Sequence, residues 1–164
     1  MDRQLPDTSH AHCLCPAARP AHLISEWLPF LREILAREEP FRWRLHGTSM
    51  VPTLPPGCEI DIVPLPAVVR LGDVVVFAAG DTLVAHRLVH RSRGHWITQG
   101  DARRTPDRPL DPALVVGAVR AAYRRERRCW PRRLSRPWSL IWVVRYHVLR
   151  AVRAIQGVRK RLRL

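Results

Sequence analysis

The chain has 164 residues, of which 46% are hydrophobic and 26% charged, a composition typical of a folded globular protein. Its 15 prolines, eight glycines and four cysteines disfavour an all-helical bundle, a collagen-like chain and a miniprotein held together by disulfides. The charge is uneven: residues 1–110 hold 13 arginines and 12 acidic residues, whereas residues 111–164 hold 15 basic and 2 acidic residues. A basic segment of this kind favours a phosphate-bearing partner, either nucleic acid or an anionic membrane.

Residues 1–20 are polar and predict a flexible arm without the apolar segment of a secretory signal peptide. No run of 18 apolar residues occurs, so no transmembrane helix is predicted. The cysteines lack the paired spacing of a zinc site, which favours free thiols in a reducing compartment. We therefore expect a protein of the cytoplasm or of the cytoplasmic face of a membrane.

Residues 21–40 have apolar positions at helical spacing and predict an amphipathic helix that Pro29 either starts or kinks. Residues 41–120 predict a mainly β domain, because short β-branched runs alternate with glycine turns. Six strands are expected, in a small antiparallel structure of folded sheets or a partial barrel: 41–45, 60–63, 74–77, 83–89, 95–99 and 114–119.

The C-terminal part is divided into a basic linker and a helix. Residues 121–137 are rich in arginine and predict an exposed linker. Residues 138–164 return to helical spacing and predict a basic amphipathic helix, suited to an anionic membrane surface. Nucleic acid is the less favoured partner, and the spacing leaves open whether the helix lies on a membrane or packs on the body. Its apolar face collects Leu140, Ile141, Val144, Val148, Val152, Ile155, Val158 and Leu162.

The run Gly-Thr-Ser-Met-Val-Pro-Thr-Leu at 47–54 makes Ser49 a candidate nucleophile. A serine needs a general base within hydrogen-bond reach, and a lone serine is more often only a loop hydroxyl. This run and three later blocks, at 71–77, 85–89 and 97–102, resemble in order the type I signal peptidases and their LexA-type relatives. The resemblance covers about residues 43–119 and implies a signal-peptidase-like antiparallel β domain.

Most bacterial members of this family use a lysine as the base, but the only lysine of this chain is Lys160. The chain is closer to the endoplasmic-reticulum and archaeal branch, which has a histidine in the block that contains His86 here. That branch also has two aspartates, which correspond to Asp101 and Asp107. Either aspartate could orient the base, with Asp107 favoured. The resemblance implies a serine endopeptidase that removes a leader or signal-like segment from a polypeptide precursor.

The implied roles follow the Ser-His-Asp mechanism, which needs neither cofactor nor metal. The backbone N–H of Ser49 would donate to the oxyanion, and Thr48, Met50 and Pro52 would contribute to the oxyanion or substrate site. Members often have a hydroxyl residue two positions before the serine, where this chain has Gly47. Substrate would bind as an added strand, with small residues next to the cut.

Several alternatives stay open at the level of the sequence. His46 and His90 compete with His86, and a histidine on a strand is often only packed in the core. His90 lies four residues beyond His86, which would place both on one face of an ideal strand. The alternative function is a non-catalytic module, on a peptidase-like fold, that binds nucleic acid or peptide.

Overall fold

The β-branched runs fold into one antiparallel sheet of seven strands, flanked by two helices. The computed structural model describes residues 24–37, 40–130 and 135–161, so the predicted arm at 1–20 lies outside the described residues. The expectation of a mainly β fold is confirmed. The strands are β1 (Phe41–Arg44), β2 (Glu59–Val63), β3 (Val74–Ala79), β4 (Thr82–Ser92), β5 (His95–Gln99), β6 (Val115–Arg124) and β7 (Arg127–Trp130).

The strand order is β1-β2-β6-β3-β4-β5, and β7 pairs with β6 outside this path. The long strand β6 is central because it pairs with β2, β3 and β7. The central strands are apolar on both faces, and two clusters of buried residues form around them. One cluster includes Ile60, Val76 and Val119, and the other includes Val75, Leu88 and Val115.

The prediction of a linker at 121–137 is wrong for the first ten residues, because these continue β6 and then form β7. The two strands are joined by a two-residue turn in which Arg125 and Glu126 both have positive φ, at 50° and 65°. Such turns are usually built from Asn-Gly or similar residues that adopt positive φ readily. The arginine-rich sequence contains no such turn residues, so it does not predict this hairpin.

The first predicted helix is confirmed in part and is shorter than expected. A 3₁₀ turn, Ile24–Trp27, leads into α1 (Leu28–Ala36), and residues 21–23, 38 and 39 lie outside the described residues. Pro29 lies in the first turn of α1, where its missing N–H costs nothing, so it starts the helix and does not kink it. Leu28 and Leu35 are buried and join the core.

The second helix, α2 (Ser135–Arg161), starts three residues before the predicted helix. It packs on β4 through Val143 and Tyr146, which are buried together with Val89 of β4. Its first turns also lie close to Gly72, where an added Cβ would make a tight contact of 3.1 Å with Ser139 Cβ. None of the helices in the described residues is both long enough and apolar enough to cross a membrane.

Candidate active site

Ser49 lies in the turn region between β1 and β2 and is half-buried. Buried side chains hold this segment on the sheet: Met50 is 2% exposed and Leu54 is fully buried. The Leu54 N–H donates to the Met50 carbonyl at 2.9 Å, which closes the turn. The Met50 side chain therefore belongs to the core, and its expected role at the oxyanion or substrate site stays a prediction. Thr48 and Pro52, by contrast, are exposed beside the serine.

His86 reaches Ser49 from the middle of β4, where it pairs across the sheet with Val75. Its Nε2 lies 2.9 Å from Ser49 Oγ, and its Nδ1 lies 2.6 Å from Asp107 Oδ2. The ring is 5% exposed and has its edge toward Phe77, with 6.1 Å between ring centroids. An ionised carboxylate only accepts hydrogen bonds, so Nδ1 carries the proton and Nε2 accepts from the serine hydroxyl.

Asp107 is held in this position by Thr98 of β5. The Thr98 hydroxyl donates to Asp107 Oδ2 at 2.7 Å, and the Asp107 N–H donates to the Thr98 carbonyl at 2.9 Å. These two hydrogen bonds thus fix the loop after β5 against β5 itself. Of the two aspartates in the sequence motif, the structure places Asp107 on the histidine.

Asp101 makes a separate buried ion pair with Arg87, the residue that follows the histidine. The pair is bidentate, with Nε–Oδ1 at 2.8 Å and Nη2–Oδ2 at 2.6 Å, and both side chains are nearly inaccessible. Thr53 donates to the same carboxylate, and Arg87 Nη1 donates to the Gly72 carbonyl at 2.7 Å and to Ser139 Oγ at 2.8 Å. This network connects the serine segment, β4 and α2.

Neither rival histidine lies at the site. His46 is exposed and makes no hydrogen bond to Ser49. His90 stacks on Tyr146 of α2 with ring centroids 6.3 Å apart, so the expectation that it shares a face with His86 is wrong. The reason is an irregularity of pairing between Leu88 and His90, which breaks the alternation of an ideal strand.

Gly100 and the serine backbone complete the immediate surroundings. A Cβ on Gly100 would lie 2.7 Å from the Ser49 carbonyl oxygen and 3.0 Å from His86 Nε2, so only glycine fits there. The Ser49 carbonyl accepts from the Ala102 N–H at 2.8 Å. Within the described part of the chain, no group accepts a hydrogen bond from the Ser49 N–H. That donor remains available to an oxyanion.

A groove of about 440 Å³ opens beside Ser49 and His86. Its apolar lining comes from both strands of the β3–β4 hairpin and from the loop after β5, and it includes Phe77, Ala78, Ala79, Val84 and Leu110. Arg103 and Arg108 also line it, and both are exposed. Neither guanidinium makes an ion pair with a described residue, which leaves two unpaired cations at an apolar groove.

The described residues offer neither a reactive thiol nor a metal site at this position. Burial raises the pKa of the Cys58 thiol to about 11, so at neutral pH it is protonated and unreactive within the core. No group of three or more metal-ligating side chains occurs among the described residues.

Several residues around the site were missed at the sequence level: Thr53, Arg87, Thr98 and Gly100. Arg87 directly follows His86, and Gly100 directly precedes Asp101, so both stood inside the motif blocks without an assigned role. Thr98 carried a weaker signal, since its contact with Asp107 depends on the path of the loop. Its hydroxyl could be placed only once the register of β5 was known.

The sequence was compared with models of protein families and with curated proteins. No family model matches it, and no curated protein matches it significantly.

Proposed function

We propose that this protein is a serine endopeptidase of signal-peptidase-like fold that removes a leader or signal-like segment from a polypeptide precursor. The observation that carries the proposal is the continuous hydrogen-bonded chain from Ser49 Oγ through His86 to Asp107. A nucleophile, a base and an orienting carboxylate in this order are the parts needed for acyl transfer. The groove beside the serine supplies a place for a peptide.

In the proposed mechanism, His86 Nε2 accepts the hydroxyl proton as Ser49 Oγ forms a bond to the scissile carbonyl carbon. The tetrahedral oxyanion accepts from the Ser49 N–H, and one such donor is worth about 3–4 kcal/mol in comparable sites. The imidazolium then gives its proton to the departing amine, which leaves an acyl-enzyme. Water hydrolyses this ester by the reverse proton transfers, while Asp107 stabilises the imidazolium.

The groove indicates the chemical class of the peptide segment it would accept. Its apolar lining suits an apolar segment, and the small side chains of Ala78 and Ala79 leave room on one wall. The two unpaired cations, Arg103 and Arg108, favour an acidic side chain near the scissile bond. We therefore infer that the preferred precursor combines an apolar stretch with a neighbouring acidic residue.

The proposal is tested by labelling the full chain with a fluorophosphonate probe, read by intact mass. Wild type is expected to gain one adduct, and the adduct is expected to be lost in Ser49→Ala and strongly reduced in His86→Ala. Ser92→Ala is the matched control, because Ser92 Oγ lies 3.0 Å from the ring nitrogens of His95 but no carboxylate among the described residues supports that pair. Labelling of this control should equal that of wild type.

Absence of labelling in folded wild type would contradict the proposal and favour the peptide-binding or nucleic-acid-binding module. Labelling that survives Ser49→Ala but disappears in Ser92→Ala would move the nucleophile to the hairpin between β4 and β5. Circular dichroism of each variant establishes that the fold is retained.

A further inference from the structure

Helix α2 has a second apolar face that nothing in the described structure covers. Packing on β4 buries Val143 and Tyr146, yet six large apolar side chains of α2 remain between 42% and 59% exposed. At 100° per residue, five of them form one stripe on the side of the helix opposite to the buried pair. We call this stripe the outer face; it consists of Ile141, Val144, Val148, Val152 and Ile155.

The charge of α2 is of one sign only. Its sequence from Ser135 to Arg161 contains six arginines and one lysine, and no aspartate or glutamate. Arg145, Arg150 and Arg153 fall outside the stripe of the outer face when the helix is projected along its axis. The helix thus combines one apolar stripe with cations on the rest of its circumference, which suits a surface that is apolar below and anionic above.

We propose that the outer face of α2 docks this protein on an anionic lipid bilayer, with the helix lying in the plane of the interface. The sheet and the outer face occupy opposite sides of the helix, so the body can remain in water while the stripe enters the lipid. Docking through this helix does not depend on peptidase activity.

Two other occupants fit the same observations less well. A second copy of α2 would bring seven more cations against the first seven, with no acidic residue in either helix to pair with them. A nucleic acid would neutralise the arginines but would leave the apolar stripe against water or phosphate. Of these three occupants, the anionic bilayer is the one that suits both the charge and the apolar side chains.

The test is sedimentation of the full chain with vesicles of phosphatidylcholine alone and of phosphatidylcholine mixed with phosphatidylglycerol, at low and high salt. We expect the protein to bind the mixed vesicles, and we expect this binding to weaken as the salt concentration rises. Val148→Asp should weaken binding about tenfold or more, because it replaces a lipid-buried valine with a charge. Ile155→Asp gives a second variant nearer the end of the helix, should Val148→Asp fail to fold.

Val68→Asp is the matched control, since Val68 is 65% exposed and lies in the loop between β2 and β3. It should bind the mixed vesicles as wild type does. Equal binding to both vesicle types, or binding that survives Val148→Asp and Ile155→Asp, would overturn the proposal. A dimer in sedimentation equilibrium that these variants convert to a monomer would assign the outer face to a second copy. Binding of duplex DNA without binding of vesicles would assign the cations to nucleic acid.

Discussion

Gly100 shows how closely the candidate site is packed at the level of single atoms. In Gly100→Ala, the new methyl group would meet the Ser49 carbonyl oxygen and His86 Nε2 at 3.0 Å or less, and one of them would have to move. A displacement of about 1 Å at a reacting centre can cost about 100-fold in rate. We expect the rate of fluorophosphonate labelling to fall by about that factor.

The control for this change is Gly47→Ala, two residues before the serine. A Cβ on Gly47 meets nothing within 4 Å, so labelling should be close to that of wild type. If both alanine variants lost labelling equally, the cause would be the mobility of the serine turn and not the contact with His86.

The two aspartates have different partners, and their substitution should therefore have different effects. Asp107→Asn removes the carboxylate from His86 and disfavours the tautomer with its proton on Nδ1. Labelling should therefore fall by up to about 10⁴-fold, with little loss of stability. Asp101→Asn leaves the fully buried guanidinium of Arg87 without its counter-charge and should lower the free energy of unfolding by about 3–5 kcal/mol. Urea unfolding and labelling rates, measured on both variants, distinguish these outcomes. A reversal of the two patterns would assign the orienting role to Asp101.

Arg108 is expected to influence which peptide is cleaved without affecting the chemistry at the serine. Two charges about 4 Å apart in water interact by about 1 kcal/mol, which corresponds to about fivefold in kcat/KM. Peptides that differ only by Glu or Gln beside the scissile bond should favour Glu in wild type and lose or invert this preference in Arg108→Glu. Arg93→Glu, in the turn between β4 and β5, changes the net charge equally and should leave the preference intact. An identical response of both variants would point to net charge alone.

At the scale of elements, the packing of α2 on the sheet depends on Gly72. This glycine has φ of +95°, and an added Cβ would lie 3.1 Å from Ser139 Cβ. Gly72→Ala therefore adds backbone strain of about 1–3 kcal/mol and also presses on the helix. Gly80→Ala shares the positive φ, at +64°, but meets nothing within 4 Å. The additional loss of stability in Gly72→Ala, measured by urea unfolding, reports the contact with α2; equal losses would show that the contact is negligible.

The contact between α2 and β4 is also expected to respond to pH. Burial, followed by the charges of Arg150, His147 and His95, lowers the pKa of His90 below its usual value of 6.5. The folded state therefore binds fewer protons than the unfolded state in this range, so stability is greatest above pH 6.5 and falls as the pH drops toward the folded pKa. Thermal unfolding should show a smaller decrease from neutral to mildly acidic pH in His90→Gln than in wild type. An unchanged decrease would assign the effect to other groups.

The sequence predicted those elements whose signals are local. Six strands follow from alternation and glycine turns, and the position of Pro29 correctly limited the start of α1. The hairpin of β6 and β7 escaped prediction because its turn is built from Arg125 and Glu126, which are unusual at positive φ. In α2, the spacing identified the exposed apolar stripe but not the face that packs on the sheet, since the buried contact uses Val143 and Tyr146 on the other side.

At the scale of the whole molecule, the sequence predicted the main residues of the candidate site better than it predicted the residues that hold them in place. Ser49, His86 and the choice between two aspartates came from ordered sequence blocks, and the tertiary structure then placed Asp107 on the histidine. The roles of Arg87 and Thr98 depend on which segments meet in space, and no periodicity encodes this. The same limitation explains why His90 was expected beside His86: a single irregularity of pairing displaced it.

The long separations within the site have a consequence for how the chain becomes active. Ser49 and His86 are 37 residues apart, and His86 and Asp107 are a further 21 residues apart. Contacts of this range form late, because loop closure must precede them. Arg87 also reaches Ser139, so the network is complete only once the C-terminal helix has been synthesised. A nascent or partly folded chain thus has a serine but no assembled base, and the proposed peptidase would gain activity only once the serine segment, β4 and the loop after β5 have come together.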